Sequence, residues 1–365
     1  LQLALDNIAG ENTPDSIRET FGMWNALKSG VNTNGFEAIP VNSFPGKGAL
    51  QTGPGATKRP RLEVKYIKPR RDSAATSKVG LCSPTTASTD PYGYMDVTVD
   101  NIRALEGTFT KSDFAKLCET PDERLAVDIR HRALDIMRAL NDKLITDAYA
   151  LCGLYADGTA STGATALSVP LLNGAGHVNP AAMAAVKSQF RRQQTATAPI
   201  VVGGDILGIW MDTRVMAGVG NTQNASQDPS AVLGGASAFV DFQTDPVIQA
   251  IETDTDSHAV TWIPGAFQVL EWYDYLGYNA ELGKEDYTET QITVDGVTFD
   301  FSLYYDPCTH AWKYELSKYF DLWAIPDAAY TQGASVWNFN RRLHFKLSCG
   351  DFTCGNYQIG EPEGI

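Results

Sequence analysis

Between Thr120 and Gly153 the chain reads TPDERLAVDIRHRALDIMRALNDKLITDAYALCG. Thr120, Pro121 and Glu123 supply an N-cap, a first-turn proline and a capping-box acid. Leu125, Ile129, Ile136, Leu140, Leu144, Ala148 and Leu151 recur at spacings of mostly four and three, and Gly153 is the stop. The pattern predicts a helix over 121–152, a rod of roughly 48 Å at about 1.5 Å per residue. Most helices are a fraction of that length. Asp128, Arg132, Asp135, Arg138, Asp142 and Asp147 occupy the other face, which is expected in solvent or at a polar interface.

A 365-residue chain with 43% hydrophobic and 20% charged residues buries a sizeable core and is not globally disordered. It has no apolar run long enough to span a membrane and no secretory signal at its start. The six cysteines, Cys82, Cys118, Cys152, Cys308, Cys349 and Cys354, are too scattered for a disulfide framework, so reduced thiols are expected. Cys349 and Cys354 with Cys308, His310 or His344 are a weak zinc pattern, since zinc ribbons use tighter repeated pairs.

Charge is uneven. Nine basic and two acidic residues lie between Lys47 and Lys78, a local charge of +7 against −14 for the chain, which leaves −21 elsewhere. A basic arm on an acidic body either binds phosphates or lies across the acidic surface of a neighbouring copy. The strongly acidic total favours the second.

Residues 1–45 read as an arm with one helix. Thr13 caps it, Pro14 opens it, Ile17, Phe21, Trp24 and Leu27 form its stripe, and Gly30 ends it. That stripe must dock on the body or on another subunit. In RLEVKYIKPRR, Leu62, Val64 and Tyr66 alternate with charged residues, as in a half-exposed strand of a projecting hairpin. Residues 153–176 read as a loop or hairpin, and a further helix is expected from Ala181 to about Gln194. A strand at Ile200–Val202 precedes a helix from Ile206 to about Ala217, and 218–238 reads as a long loop. The last third is β-rich: HAVTWIPGAFQVLEW gives strand, turn, strand; Asp295-Gly296 marks a hairpin; WKYELSKYFDLWAIP and RRLHFKLSC are further strands.

Tests for chemistry return little. In Gly203-Gly204-Asp205-Ile206-Leu207-Gly208 a carboxylate stands where a dinucleotide loop needs its second glycine, and no Gly-Lys-Ser/Thr follows. Asp205 is expected to cap the next helix. There is no G-x-S-x-G elbow and no H-E-x-x-H helix. His131 reads as a surface or interface residue and His177 as a loop residue. Asp254, Asp256 and His258 alternate and would share one strand face, a pattern able to hold a divalent cation, although a solvated loop before a strand is the more ordinary reading. The aromatic run from Trp262 to Trp323 suits core or interface better than a sugar platform.

The order arm, basic hairpin, long helix, mixed core and late strands resembles the major capsid proteins of tailed bacteriophages, the Hong-Kong-97-type fold. The stretches AAMAAVKSQFRRQQTATAPIVVGGDILGIWM and AVTWIPGAFQVLEW are similar to that family's axial-domain elements. The resemblance implies an α+β fold with an N-terminal arm (1–45), an extended basic hairpin loop (46–90), a peripheral domain with a spine helix (91–174), a mixed α/β axial domain (175–330) and return strands with a C-terminal tail (331–365). It implies a non-enzymatic shell protein of the virion, assembled in the host bacterial cytoplasm as hexamers and pentamers. The shell would enclose double-stranded DNA without sequence-specific contacts, alongside portal and decoration proteins. No catalytic, cofactor or metal residues are expected. Leu1 in place of methionine fits removal of a scaffolding segment. The expected subunit-interface residues are Phe21 and Trp24 on the arm and Arg59, Arg61, Lys65, Lys68, Arg70 and Arg71 on the hairpin. The alternatives are an encapsulin-like compartment, an α/β nucleotide-binding enzyme and a carbohydrate-binding attachment protein.

Overall fold

A helix of 31 residues, Pro121–Leu151, packs on β3 (Asn101–Thr110) and β11 (Ala311–Ala324) and supplies much of the core. The computed structural model describes residues 21–33, 61–67, 92–99, 101–110, 121–154, 160, 167–170, 190, 199–204, 241–245, 247–248, 257–272, 287–332 and 335–348. Its helices are α1 (Gly22–Lys28), α2 (Gly30–Thr33) and the long α3 (Pro121–Leu151). On α3, Ile129, Leu140, Leu144 and Ala148 are fully buried, and Leu125 and Ile136 nearly so, which is the stripe that the spacing predicts. Gly153 ends the segment at φ 67°, a conformation that costs glycine nothing.

Strands β3 (Asn101–Thr110), β11 (Ala311–Ala324), β10 (Val297–Asp306) and β9 (Tyr287–Val294) form one antiparallel sheet in that order. β8 (Phe267–Trp272) pairs with the second half of β11, on the edge that β10 leaves free. The β9–β10 hairpin closes through Asp295 (φ 49°) and Gly296 (φ 82°), the two positive angles that a two-residue turn needs to match strand twist. The long helix lies on the face that carries Leu105, Gly107, Tyr314, Leu316 and Phe301. Gly107 leaves room for the Tyr314 ring: a Cβ there would sit 2.2 Å from it.

The second sheet has the order β4 (Leu167–Pro170), β14 (Arg342–Ser348), β7 (Ser257–Trp262), β5 (Ile200–Gly203) and β6 (Asp241–Thr244), with β4–β14 and β5–β6 parallel. β7 and β8 are joined by a turn over Ile263–Ala266 with Gly265 at φ 87°, yet they belong to different sheets. The turn is a corner through which the chain passes from one sheet to the other. Two ribbons stand apart from both sheets: β12 (Ala328–Gln332) with β13 (Ser335–Phe339), and β1 (Arg61–Ile67) with β2 (Tyr92–Thr98).

Several expectations are corrected. The described arm helix starts at Gly22, with Phe21 in a non-helical N-cap conformation. Gly30 does not end it: Ser29 is the C-cap, and Gly30 opens α2. The hydroxyl of Ser29 accepts from the Asn32 N–H, so it ends one helix and begins the next. The strand predicted at 62–66 pairs with Tyr92–Thr98. β11 pairs with β3, and both pack on α3. Thr13, Pro14, Ile17, His177, Asp205 and the helix expected from Ile206 lie outside the described residues, as does all but Phe190 of the helix expected from Ala181.

Candidate functional site

The arm helix is fixed to the body by polar groups from distant parts of the chain. The Asp245 carboxylate, at the end of β6, accepts from the N–H of Met23 (3.1 Å) and from Asn141 Nδ2 (2.8 Å). Asn141 Oδ1, on α3, accepts from the Trp24 N–H at 3.1 Å. Two of the N–H groups that the first turn of any helix leaves unpaired are thereby satisfied without a local cap. Burial pushes the Asp245 carboxyl above the usual carboxylate range, and the hydrogen bonds it accepts work against that rise.

Phe21 (2% exposed) and Trp24 (6%) are buried in the chain's own core. The helix is too short to hold its apolar side in water, and the body offers a prepared socket. Trp24 lies beneath a buried charge cluster in which Lys28 and Lys318 both pair with Glu271, and Lys318 Nζ also donates to the Thr298 carbonyl at 2.8 Å. Burial acts to raise the Glu271 carboxyl, but the two ammonium groups outweigh it and hold the carboxyl below its usual range. Burial lowers Lys318, and Glu271 offsets part of the drop. Beside the cluster is an open cavity of about 340 Å³ lined by Trp24, Lys28, Glu271 and the Asp295–Thr298 turn.

A prediction follows for acid. A depressed carboxyl stabilises the fold above its ordinary value of 4.5 and loses that contribution as pH falls through the folded value. Glu271→Gln should cost about 3 kcal/mol near neutral pH, because the buried Lys318 loses the carboxylate that pairs with it. The gap to the wild type should narrow steadily below about pH 4.5. Urea midpoints across that range test this, and parallel curves for the two proteins would contradict it.

Near the N-terminal end of α3, Tyr314 donates to Asp128, while Arg132 Nε bonds Tyr314 Oη (2.6 Å) and Asp128 (3.1 Å), and its Nη1 reaches the Glu106 carbonyl (2.5 Å). Two residues of the face expected in solvent or at a polar interface thus tie the helix to the sheet. Near the other end, Tyr149 Oη lies 3.3 Å from His258 Nδ1, which is 3.0 Å from His344 Nε2. His258 is 2% exposed inside β7 and so is a buried strand residue, whereas Asp254 and Asp256 are not among the described residues. Cys152 is buried, and desolvation pushes its thiol up to about 12, which makes it inert. Cys308 is exposed in the β10–β11 turn, and no cluster of three His, Cys, Asp or Glu suited to a metal occurs among the described residues. No described helix is long and apolar enough to cross a membrane.

Of the basic residues expected at the interface, Arg61 and Lys65 lie on β1, opposite Thr98 and Tyr94. Arg59, Lys68, Arg70 and Arg71 are outside the described residues. Sequence reasoning missed Asn32, Asn141 and Asp245. Each is a single polar residue in an unremarkable context, and only its distant partners give it a role.

No known family matches the chain, and no curated protein does. Similar solved structures include the asymmetric unit of the bacteriophage PhiM1 mature capsid (11% identity, 79% of this chain and 82% of that one, TM-score 0.45). Others are a chain from Mycobacterium phage Che8 (9%, 78% and 84%, 0.42) and the capsid of a native GTA particle (12%, 79% and 85%, 0.42).

Proposed function

We propose that this chain is the major shell subunit of a tailed-bacteriophage head. Many copies would tile an icosahedral capsid around double-stranded DNA, with no enzymatic role. The observation that carries the reading is the β1–β2 ribbon. It pairs with no other described strand, and β1 lies in the +7 segment of a chain whose remainder is acidic. A two-stranded ribbon is marginal alone in water. A shell subunit needs long contacts that form between copies, and a ribbon of this kind can supply one. The class resembled by the order of segments in the sequence builds its shell from such contacts. On this reading residues 1–45 form an arm and the basic hairpin reaches a neighbour.

Two measurements test the proposal. Negative-stain microscopy of the purified protein should show uniform closed shells, and a persistent monomer would overturn the reading. Reversing Arg70 and Arg71 to glutamate should lower shell yield by about tenfold or more, since like charges at a contact cost several kcal/mol. The far-ultraviolet circular dichroism of the subunit should not change. Normal particles from that variant would remove the hairpin from the assembly contact.

A further inference from the structure

Two buried imidazoles meet where the end of α3 reaches the second sheet. His258 lies on β7 and His344 on β14, which are adjacent antiparallel strands. Register sets His344 opposite Val260, two residues along β7 from His258, so the two histidines are diagonal neighbours on one face. His258 Nδ1 stands 3.0 Å from His344 Nε2. The same Nδ1 stands 3.3 Å from Tyr149 Oη, which the last turn of α3 brings to that face. The Tyr149 ring also rests on His344, with 3.8 Å between ring centroids.

A neutral imidazole has either one hydrogen or one lone pair at Nδ1, so a single hydrogen bond accounts for one of these two approaches and not for both. A shared cation accounts for both. The ligands of a tetrahedral ion with bonds of about 2.0–2.1 Å stand about 3.3 Å from one another. The spacings of 3.0 and 3.3 Å around His258 Nδ1 are those found inside one coordination shell. Imidazole nitrogens select a first-row transition-metal dication over magnesium or calcium, which prefer oxygen. We infer that His258, His344 and Tyr149 bind such a dication, of the zinc class, and that it staples the end of α3 to the second sheet. Tyr149 gives its phenolic proton to solvent on binding, as a coordinating group must. The third donor is a phenol, so the set differs from the usual trio of histidine, cysteine and carboxylate. Asp254 and Asp256, which alternate with His258 in the sequence, lie outside the described residues and are not needed for the inference. The site is independent of the shell reading.

The test uses the full-length chain, stripped with a chelator and titrated with Zn²⁺ in a calorimeter. About one ion per chain should bind, with release of protons to the buffer and a rise in thermal midpoint. Co²⁺ in place of zinc should give the visible absorption of a tetrahedral site. His258→Gln and His344→Gln should each weaken zinc binding by about a hundredfold, and Tyr149→Phe by about tenfold. Tyr149→Phe removes only the oxygen and leaves the ring on His344, so its loss of affinity is not a folding defect, and unchanged circular dichroism checks this. A wild-type chain that takes up no zinc overturns the inference. So does zinc binding that all three variants retain, because the ion then sits on other residues. Equal affinity for Mg²⁺ and Zn²⁺ also overturns it, because imidazole ligands do not give that result.

Discussion

Asn32→Leu is expected to destabilise the chain by about 4 kcal/mol or more, which is exceptional for one substitution. Asn32 is fully buried, and each hydrogen-bonding position of its amide is used. Nδ2 donates to the carbonyls of Leu27 (2.8 Å) and Phe267 (2.9 Å). Oδ1 accepts from Trp262 Nε1 (2.9 Å) and from the Gly265 N–H (3.0 Å). One side chain therefore joins the end of α1, the end of β7, the corner turn and the start of β8. Leucine fills the same volume but strands four buried polar groups, each worth about 1–3 kcal/mol when left unmade. Urea unfolding followed by tryptophan fluorescence reads the loss directly, since Trp262 is one of the partners. A loss of less than about 1 kcal/mol would mean that water replaces the amide and would refute this account.

Gly22→Ala should be nearly as damaging. A Cβ at Gly22 would stand 2.2 Å from the Thr244 carbonyl oxygen and 2.8 Å from its carbon. Both are backbone atoms of β6, which is held by pairing with β5, so neither yields as a side-chain tip would. Relief requires α1 to lift away from Asp245 and Asn141, and Phe21 and Trp24 move with it. The expected cost is about 3 kcal/mol, the upper part of the range for overpacking. Gly30→Ala is the control. No atom lies within 4 Å of its added methyl, and alanine favours the helix by up to about 1 kcal/mol. Equal effects at the two glycines would show that helix propensity, not close approach to β6, decides the outcome.

Local regularities were readable from the sequence where they repeat. The α3 stripe, its proline start and its glycine stop all follow from spacing, because an apolar side chain every three or four residues has one stable solution. Asp295-Gly296 announced its hairpin, because few residues tolerate two positive φ angles in succession. The strand at Ile200 was legible from its apolar run, and all of Ile200, Val201 and Val202 are buried. The glycine pair after it raised a phosphate-loop question that Asp205 answers from sequence alone.

Pairing was not readable. Nothing in PGAF says that β7 and β8 part into different sheets, nor that β11 divides one edge between β10 and β8. These choices depend on which faces fit together over separations of tens to hundreds of residues, and local propensity carries no such information. The same holds for the arm helix. Its stripe predicted docking but not the socket, whose Asn141 and Asp245 lie over a hundred and over two hundred residues away.

By itself the sequence determined the long helix, the hairpin turns, the basic segment on an acidic chain and the absence of any recognisable catalytic motif. Those properties rest on nearest neighbours, periodicity and net charge, all of which are additive along the chain. Only the tertiary structure decided that Phe21 and Trp24 belong to the core, that Asn32 ties four elements together and that His258 meets His344 and Tyr149. Each of those depends on register and on the close approach of remote segments, and a one-residue shift in any strand would send its side chains to the opposite face.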